Sequence, residues 1–105
     1  MDIGNYDFEG PYQLDNWNPP SRAGVYCILH RNSNNNYNVD YVGESENLSE
    51  RGFPWSHHRS DCWIQSAGSK SNVYIAIHYM PYSTQQQRTA VESELIRAYT
   101  PGCNG

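Results

Sequence analysis

The sequence predicts an α+β domain whose elements run in the order β-β-α-(α)-β-α, and three observations predict it. Two runs rich in aromatic and β-branched residues, at 24–30 and 37–43, flank a polar Asn-rich turn. A third run at 72–80 (NVYIAIHYM) is apolar on both alternating faces, as in a strand covered on two sides. After it comes a helical stripe of Val91, Leu95, Ile96 and Tyr99.

Along the chain, residues 1–22 read as an acidic N-terminal extension packed by Tyr6, Phe8, Tyr12 and Trp17, ending in the turn Asn18-Pro19-Pro20. A single domain over residues 23–105 follows. Its first strand, GVYCILH, leads into RNSNNN, where asparagine tolerates left-handed conformations. The second strand, YNVDYVG, carries Tyr37, Val39 and Tyr41 on one face. A hairpin centred between Ser33 and Asn34 would set Tyr26 opposite Tyr41 and Gly24 opposite Gly43. Ser45 or Asn47 is suited to cap a short helix over residues 46–52, stopped by Gly52 and Pro54. A further helix is expected over residues 56–67, ending near Gly68. Ser83 and Gln86 suggest a capping box for the last helix, which Thr100-Pro101-Gly102 would stop. Glu92 falls inside its apolar stripe, whereas Glu94 is expected to face solvent.

Composition narrows the function classes. The 105 residues hold 7 Lys+Arg against 11 Asp+Glu, a formal net charge of −4. Nine Tyr and three Trp argue for a folded domain over a disordered acidic chain. Four of the acids (Asp2, Asp7, Glu9, Asp15) lie in residues 1–15, which contain no base, so the rest carries seven of each sign. A neutral body implies weak unaided affinity for polyanions. The longest apolar runs, at 25–29 and 73–77, are far too short to span a membrane, and no signal peptide is read. Three widely spaced cysteines (Cys27, Cys62, Cys103) suggest a reduced, cytoplasmic chain, with at most one disulfide.

Several motifs line up in order. Gly24-Val25-Tyr26 is followed some fifteen residues later by Tyr41-Val42-Gly43; then come Glu44-Ser45-x-Asn47-Leu48-x-x-Arg51, Glu92-x-x-Leu95-Ile96, and Tyr99-x-Pro101-x-x-Asn104. Together they resemble the signature of the GIY-YIG nucleases over about residues 23–104. The resemblance implies a small three-stranded antiparallel sheet flanked by helices. It also implies metal-dependent hydrolysis of phosphodiester bonds in DNA, with one Mg²⁺ or Mn²⁺ ion held by Glu92.

Each residue carries chemistry consistent with that role. A carboxylate in an apolar stripe is costly unless it is paired or binds a cation, and Mg²⁺ often takes only one or two protein carboxylates. Arg51 would offset charge building on the scissile phosphate. Tyr26 would act as general base or position the water, with Tyr41 beside it. At an ordinary pKa of about 10, roughly one tyrosine in a thousand is ionised at neutral pH, so its surroundings would have to lower that value. Relatives often place a histidine one helical turn after the arginine. Here that position is Trp55, and His57 and His58 follow, His57 being taken as the proton relay. Gly24 and Gly43 would admit a ligand backbone, and Ser45, His58, Arg59 and Asn104 would contact substrate. Arg59, Lys70, Arg88 and Arg97 are available for phosphates. A zinc site at His57, His58 and Cys62 lacks a fourth ligand.

The alternative is a catalytically silent module of the same fold that binds nucleic acid or protein. In the nuclease reading, a protein partner or a homodimer would supply specificity. The acidic N-terminal segment is expected to lie near the cleft and compete with DNA.

Overall fold

The computed structural model describes residues 1–104. Its strands are β1 (Asp2–Ile3), β2 (Tyr6–Asp7), β3 (Glu9–Gln13), β4 (Gly24–Arg31), β5 (Tyr37–Ser45) and β6 (Val73–Tyr79), with helices α1 (Ser60–Ala67) and α2 (Gln85–Tyr99). β1 and β2 form a small hairpin, while the main sheet is antiparallel with strand order β3-β6-β4-β5. The sheet therefore has four strands, not the three expected. The added strand, β3, carries Gly10 and Pro11 and has little strand propensity of its own. It forms because the free edge of β6 offers pairing partners, Glu9 opposite Ile77 and Tyr12 opposite Ile75, across a bulge.

Alternation along β4 divides the core into two halves. Val25, Cys27 and Leu29 face Val91 and Leu95 of α2, while Tyr26 and Ile28 face Trp63 of α1 and Leu48. Ala76 lies in the first cluster and Val73, Ile75 and Ile77 in the second, so β6 is covered on both faces as its sequence requires. Residues 1–14 are built into this core rather than appended to it. Ile3, Phe8 and Leu14 are buried, and the Tyr99 hydroxyl accepts a hydrogen bond from the Gly4 N–H at 2.9 Å. The Tyr6 hydroxyl donates to Glu94 at 2.9 Å, so Glu94 has a partner instead of facing water alone.

The β4–β5 hairpin turns on Asn32, whose side chain accepts from the backbone of Asn34 and Asn36, with Asn35 left-handed at φ 63°. A bulge between Ile28 and Leu29 then shifts the register. Tyr26 pairs with Gly43 and Ile28 with Tyr41, so the expected Tyr26–Tyr41 cross-strand pair is a diagonal one. Residues 46–52 do not form the expected helix. Ser45 Oγ accepts from Asn47 N and Asn47 Oδ1 from Ser49 N, local side-chain bonds that replace helical ones and make consecutive turns. α1 starts later than expected, at Ser60, and ends on left-handed Gly68 at φ 83°. The capping box of α2 lies one residue beyond the expected one, with Thr84 and Gln87 bonding reciprocally.

Cys62 on α1 and Cys103 are joined in a disulfide, so the chain is not the fully reduced one its spacing suggested; Cys27 is free and buried. Beside the disulfide, Cys103 N donates to Asp40 O at 2.9 Å, and the Asn104 amide grips Val42 twice, accepting from its N–H at 2.8 Å and donating to its carbonyl at 2.9 Å. No helix is long and apolar enough to cross a membrane among the described residues.

Candidate active site

The two tyrosines of the paired motifs define the site's floor. Tyr26 is buried and Tyr41 half-buried, their ring centroids 6.1 Å apart, close enough for Tyr26 to favour the ionised form of Tyr41. Gly43 has a steric reason that differs from ligand access. Lying directly opposite Tyr26, it leaves the space that ring fills, and a Cβ there would stand 2.5 Å from the tyrosine's Cζ and hydroxyl. Gly24 is similarly constrained, since its Cβ would come within 2.7 Å of the His78 carbonyl on β6. Both glycines therefore fit the chain to itself.

Glu92 lies on α2, half-buried, and its charge reaches both rings. Burial, then the nearby Glu44 carboxylate, push its pKa above the usual carboxylate value. Among the described residues Glu92 has no hydrogen bond or ion pair, so its oxygens are available to hold a cation. One turn earlier on the same helix, Arg88 is 3% exposed and fully committed. Its Nε donates to Glu44 at 2.9 Å, and its Nη1 donates to the Ser83 carbonyl at 2.8 Å and hydroxyl at 2.9 Å. Arg88 is therefore not available for phosphate, as its sequence position suggested. The Glu44–Arg88 pair was missed; its one sequence signal was the placement of Arg88 one turn before Glu92. Replacing Glu44 with Ala strands a buried guanidinium and is expected to cost about 3 kcal/mol. Urea denaturation measures this, and a loss under about 1 kcal/mol contradicts it.

Arg51 is exposed in the loop after β5 and shares a shallow 330 Å³ cavity with Glu50, Phe53, Ser56, His57 and His58. Phe53 joins that loop to the floor, its ring 5.0 Å from Tyr26. His57 lies 5.1 Å from Tyr41 and 4.8 Å from Trp63, stacked on His58 at 4.5 Å. Trp63 is itself fully buried, its indole N–H without a partner among the described residues.

Burial, then the charges of His58 and Arg59, bring the His57 pKa down to about 4. The Arg59 backbone N–H donates to His57 Nδ1 at 3.0 Å, which makes Nδ1 the acceptor and leaves the neutral ring's proton on Nε2. In this tautomer the ring donates from Nε2 and has its acceptor nitrogen already occupied. Its titration also leaves a stability signature. Because the folded value lies below the ordinary one of about 6.5, the unfolded chain binds more protons between those values. The contribution is complete above pH 6.5 and fades as pH falls toward 4. The gap in melting temperature between wild type and His57→Gln should narrow from pH 7 to pH 5; a constant gap would show that His57 does not titrate in this way.

Asn104 does not face the cleft but clamps Val42, the residue after Tyr41, so it positions the floor instead of contacting substrate. Ser45 is likewise occupied by the Asn47 backbone. His58 and Arg59 lie beside His57 on the rim. The zinc alternative fails because Cys62 is a disulfide sulfur, and no cluster of three metal-ligating groups exists among the described residues. The structure thus brings Tyr26, Tyr41, Glu92 and His57 together beneath a loop carrying Arg51.

Comparison with solved structures gives the same architecture. The GIY-YIG N-terminal endonuclease domain of UvrC from Thermotoga maritima, a point mutant bound to its catalytic divalent cation, superposes with a TM-score of 0.53 at 18% identity, covering 83% of this chain and 87% of that one. This chain has the GIY-YIG fold. The magnesium-bound form of the same UvrC domain matches at a TM-score of 0.51 and 20% identity, over 83% and 88% of the two chains. No protein-family model and no curated protein matches the sequence. The likeness is therefore one of fold. Here Gly24-Val25-Tyr26 begins β4 and Tyr41-Val42-Gly43 lies near the end of β5, where Tyr26 pairs with Gly43.

Proposed function

We infer that the domain is an endonuclease that hydrolyses DNA phosphodiester bonds at one site, with Mg²⁺ or Mn²⁺ held by Glu92. The observation that carries this reading is a half-buried carboxylate with no hydrogen bond or ion pair among the described residues, close enough to two adjacent tyrosines to perturb both. The donor set fits a hard cation that keeps most of its water and takes phosphate oxygens from substrate. When bound, such an ion supplies Lewis-acid polarisation of the phosphate and offsets its developing charge.

The chain's own groups divide the remaining work. Burial raises both tyrosine pKa values, with the Glu92 charge adding to each. Tyr41 also feels opposing effects, the Arg59 charge and the Tyr26 hydroxyl, which favour its ionised form. Tyr41 is therefore the better of the two to stand as the phenolate that accepts the attacking water's proton and becomes a neutral phenol, with the Tyr26 hydroxyl steadying that phenolate beforehand. Arg51 donates to the phosphate from the rim. His57, neutral in this setting, offers a hydrogen bond from its Nε2–H to the leaving oxygen and keeps its proton, so the leaving oxygen is protonated from solvent.

Mixing the protein with supercoiled plasmid and Mg²⁺ tests the reading, with nicking expected. Tyr41→Phe should lower the rate about a hundredfold, the usual size of a general-base contribution, and Tyr26→Phe should lower it less. The reverse order would return the base role to Tyr26. Absence of nicking by wild type under varied metals and DNA forms would leave the silent binding module as the function.

A further inference from the structure

A further cavity lies outside the candidate catalytic cleft. It has a volume of 520 Å³ and is lined by Ser21, Arg22, Ala23, Glu46, Tyr79, Pro81, Tyr82 and Ser83. Three segments form it: the approach to β4, the loop leaving β5 and the turn after β6. Gly24 pairs with Ser45 on one side and Tyr79 on the other, and Tyr26 lies two residues farther along β4. The cavity therefore adjoins the two-tyrosine floor along one face of the sheet.

Its walls have a consistent chemistry. The Arg22 guanidinium lies over the Tyr79 ring, 4.9 Å from its centroid, making a flat cationic-aromatic wall. Tyr82 is fully exposed, its backbone in the left-handed region at φ 61°, an uncommon conformation for a bulky residue. No packing explains this presentation, yet the turn that makes it is firmly held. Met80 O accepts from Ser83 N at 3.2 Å, Met80 N donates to Ala23 O at 2.9 Å, and buried Arg88 donates to the Ser83 carbonyl and hydroxyl. Glu46 adds a carboxylate, an acceptor suited to ring N–H or amino groups.

We propose that this cavity is a seat for an unpaired nucleobase of the nucleic-acid substrate, stacked between Tyr82 and the Arg22–Tyr79 wall. The polymer named here rests on the nuclease reading above; the aromatic-acidic lining carries the choice of base over phosphate. Two aromatic rings and a carboxylate suit a planar heterocycle, whereas a phosphate seat would need more than the single guanidinium present. Seating a base here would place the strand beside the tyrosine floor and favour DNA with an unpaired nucleotide over an intact duplex. It would also supply affinity that a domain with net charge −4 cannot draw from phosphate contacts alone.

The test is a titration of a short single-stranded oligodeoxynucleotide carrying 2-aminopurine, at low salt and in EDTA so that no cleavage occurs. Wild type should quench the fluorescence saturably. Tyr82→Ala, whose lost side chain touches no core, should weaken binding at least tenfold, the size of one lost base–aromatic stack, while Tyr82→Phe should restore it. No saturable quenching, or quenching unchanged in Tyr82→Ala, overturns the proposal. So does saturable binding of a proline-rich peptide by a protein that leaves the oligonucleotide unquenched. The plasmid assay separates the two readings. Tyr82-dependent quenching without nicking keeps the seat and removes the nuclease, and nicking with Tyr82-independent DNA binding does the opposite.

Discussion

Glu92→Gln should abolish Mg²⁺-stimulated nicking of supercoiled plasmid, by at least about a hundredfold, while the protein stays folded. The activity loss follows from removing a half-buried carboxylate that acts on both tyrosines and has no hydrogen bond or ion pair among the described residues; a neutral amide is a far weaker ligand for a hard cation. The retained fold follows from the same fact. No ion pair is broken, and burial together with the Glu44 charge already works against the ionised form of Glu92. An amide of equal size should leave the melting temperature within a few degrees of wild type, or raise it slightly. Calorimetric titration with Mn²⁺ gives an independent readout, in which wild type takes up metal and Glu92→Gln does not. Metal uptake and nicking unchanged in the variant would rule out this glutamate as the metal ligand.

The second large effect is on stability. Cys62 and Cys103 are 41 residues apart in sequence, and closing a loop of that size restricts the unfolded chain by about 4 kcal/mol in the chain-entropy account. The double variant Cys62→Ala, Cys103→Ala should therefore melt some 15–30 °C lower, given the entropy of unfolding of a domain this small. Cys103 is wholly buried against the cluster containing Trp63, so lost packing adds to lost cross-linking. The site should suffer as well. Asn104 follows Cys103 directly and grips the backbone of Val42 beside Tyr41. Scanning calorimetry with and without reductant checks the stability, and a shift under about 5 °C would show that core packing alone holds the C-terminal segment.

What the sequence disclosed were features with a local cause. The Asn turn, the doubly apolar β6 and the amphipathic α2 each follow from side chains within a few residues, and all three formed. The candidate site was legible because its residues recur in a fixed order, and the fold brings Tyr26, Tyr41 and Glu92 together. The misses share a different origin. The register of β4 on β5 depends on one bulge at Ile28, which no residue between the strands announces. β3 exists only because β6 has a free edge, so its own Gly-Pro sequence hides it. The loop at 46–52 has helix-capping residues, yet successive Ser and Asn side chains satisfy the backbone first. Arg88 looked like a surface cation because its partner, Glu44, is far away in the chain.

β5 forms one border of the sheet, and a bare border is where another strand could join. The Asn104 amide occupies both outward backbone groups of Val42, and Cys103 N occupies the carbonyl of Asp40. The C-terminal segment thus stands in for a fifth strand without being one. It closes that side to strand addition at the point where the YVG triplet must stay in register with Tyr26. A strand added along β5 at Asp40 and Val42 would first have to displace this C-terminal segment.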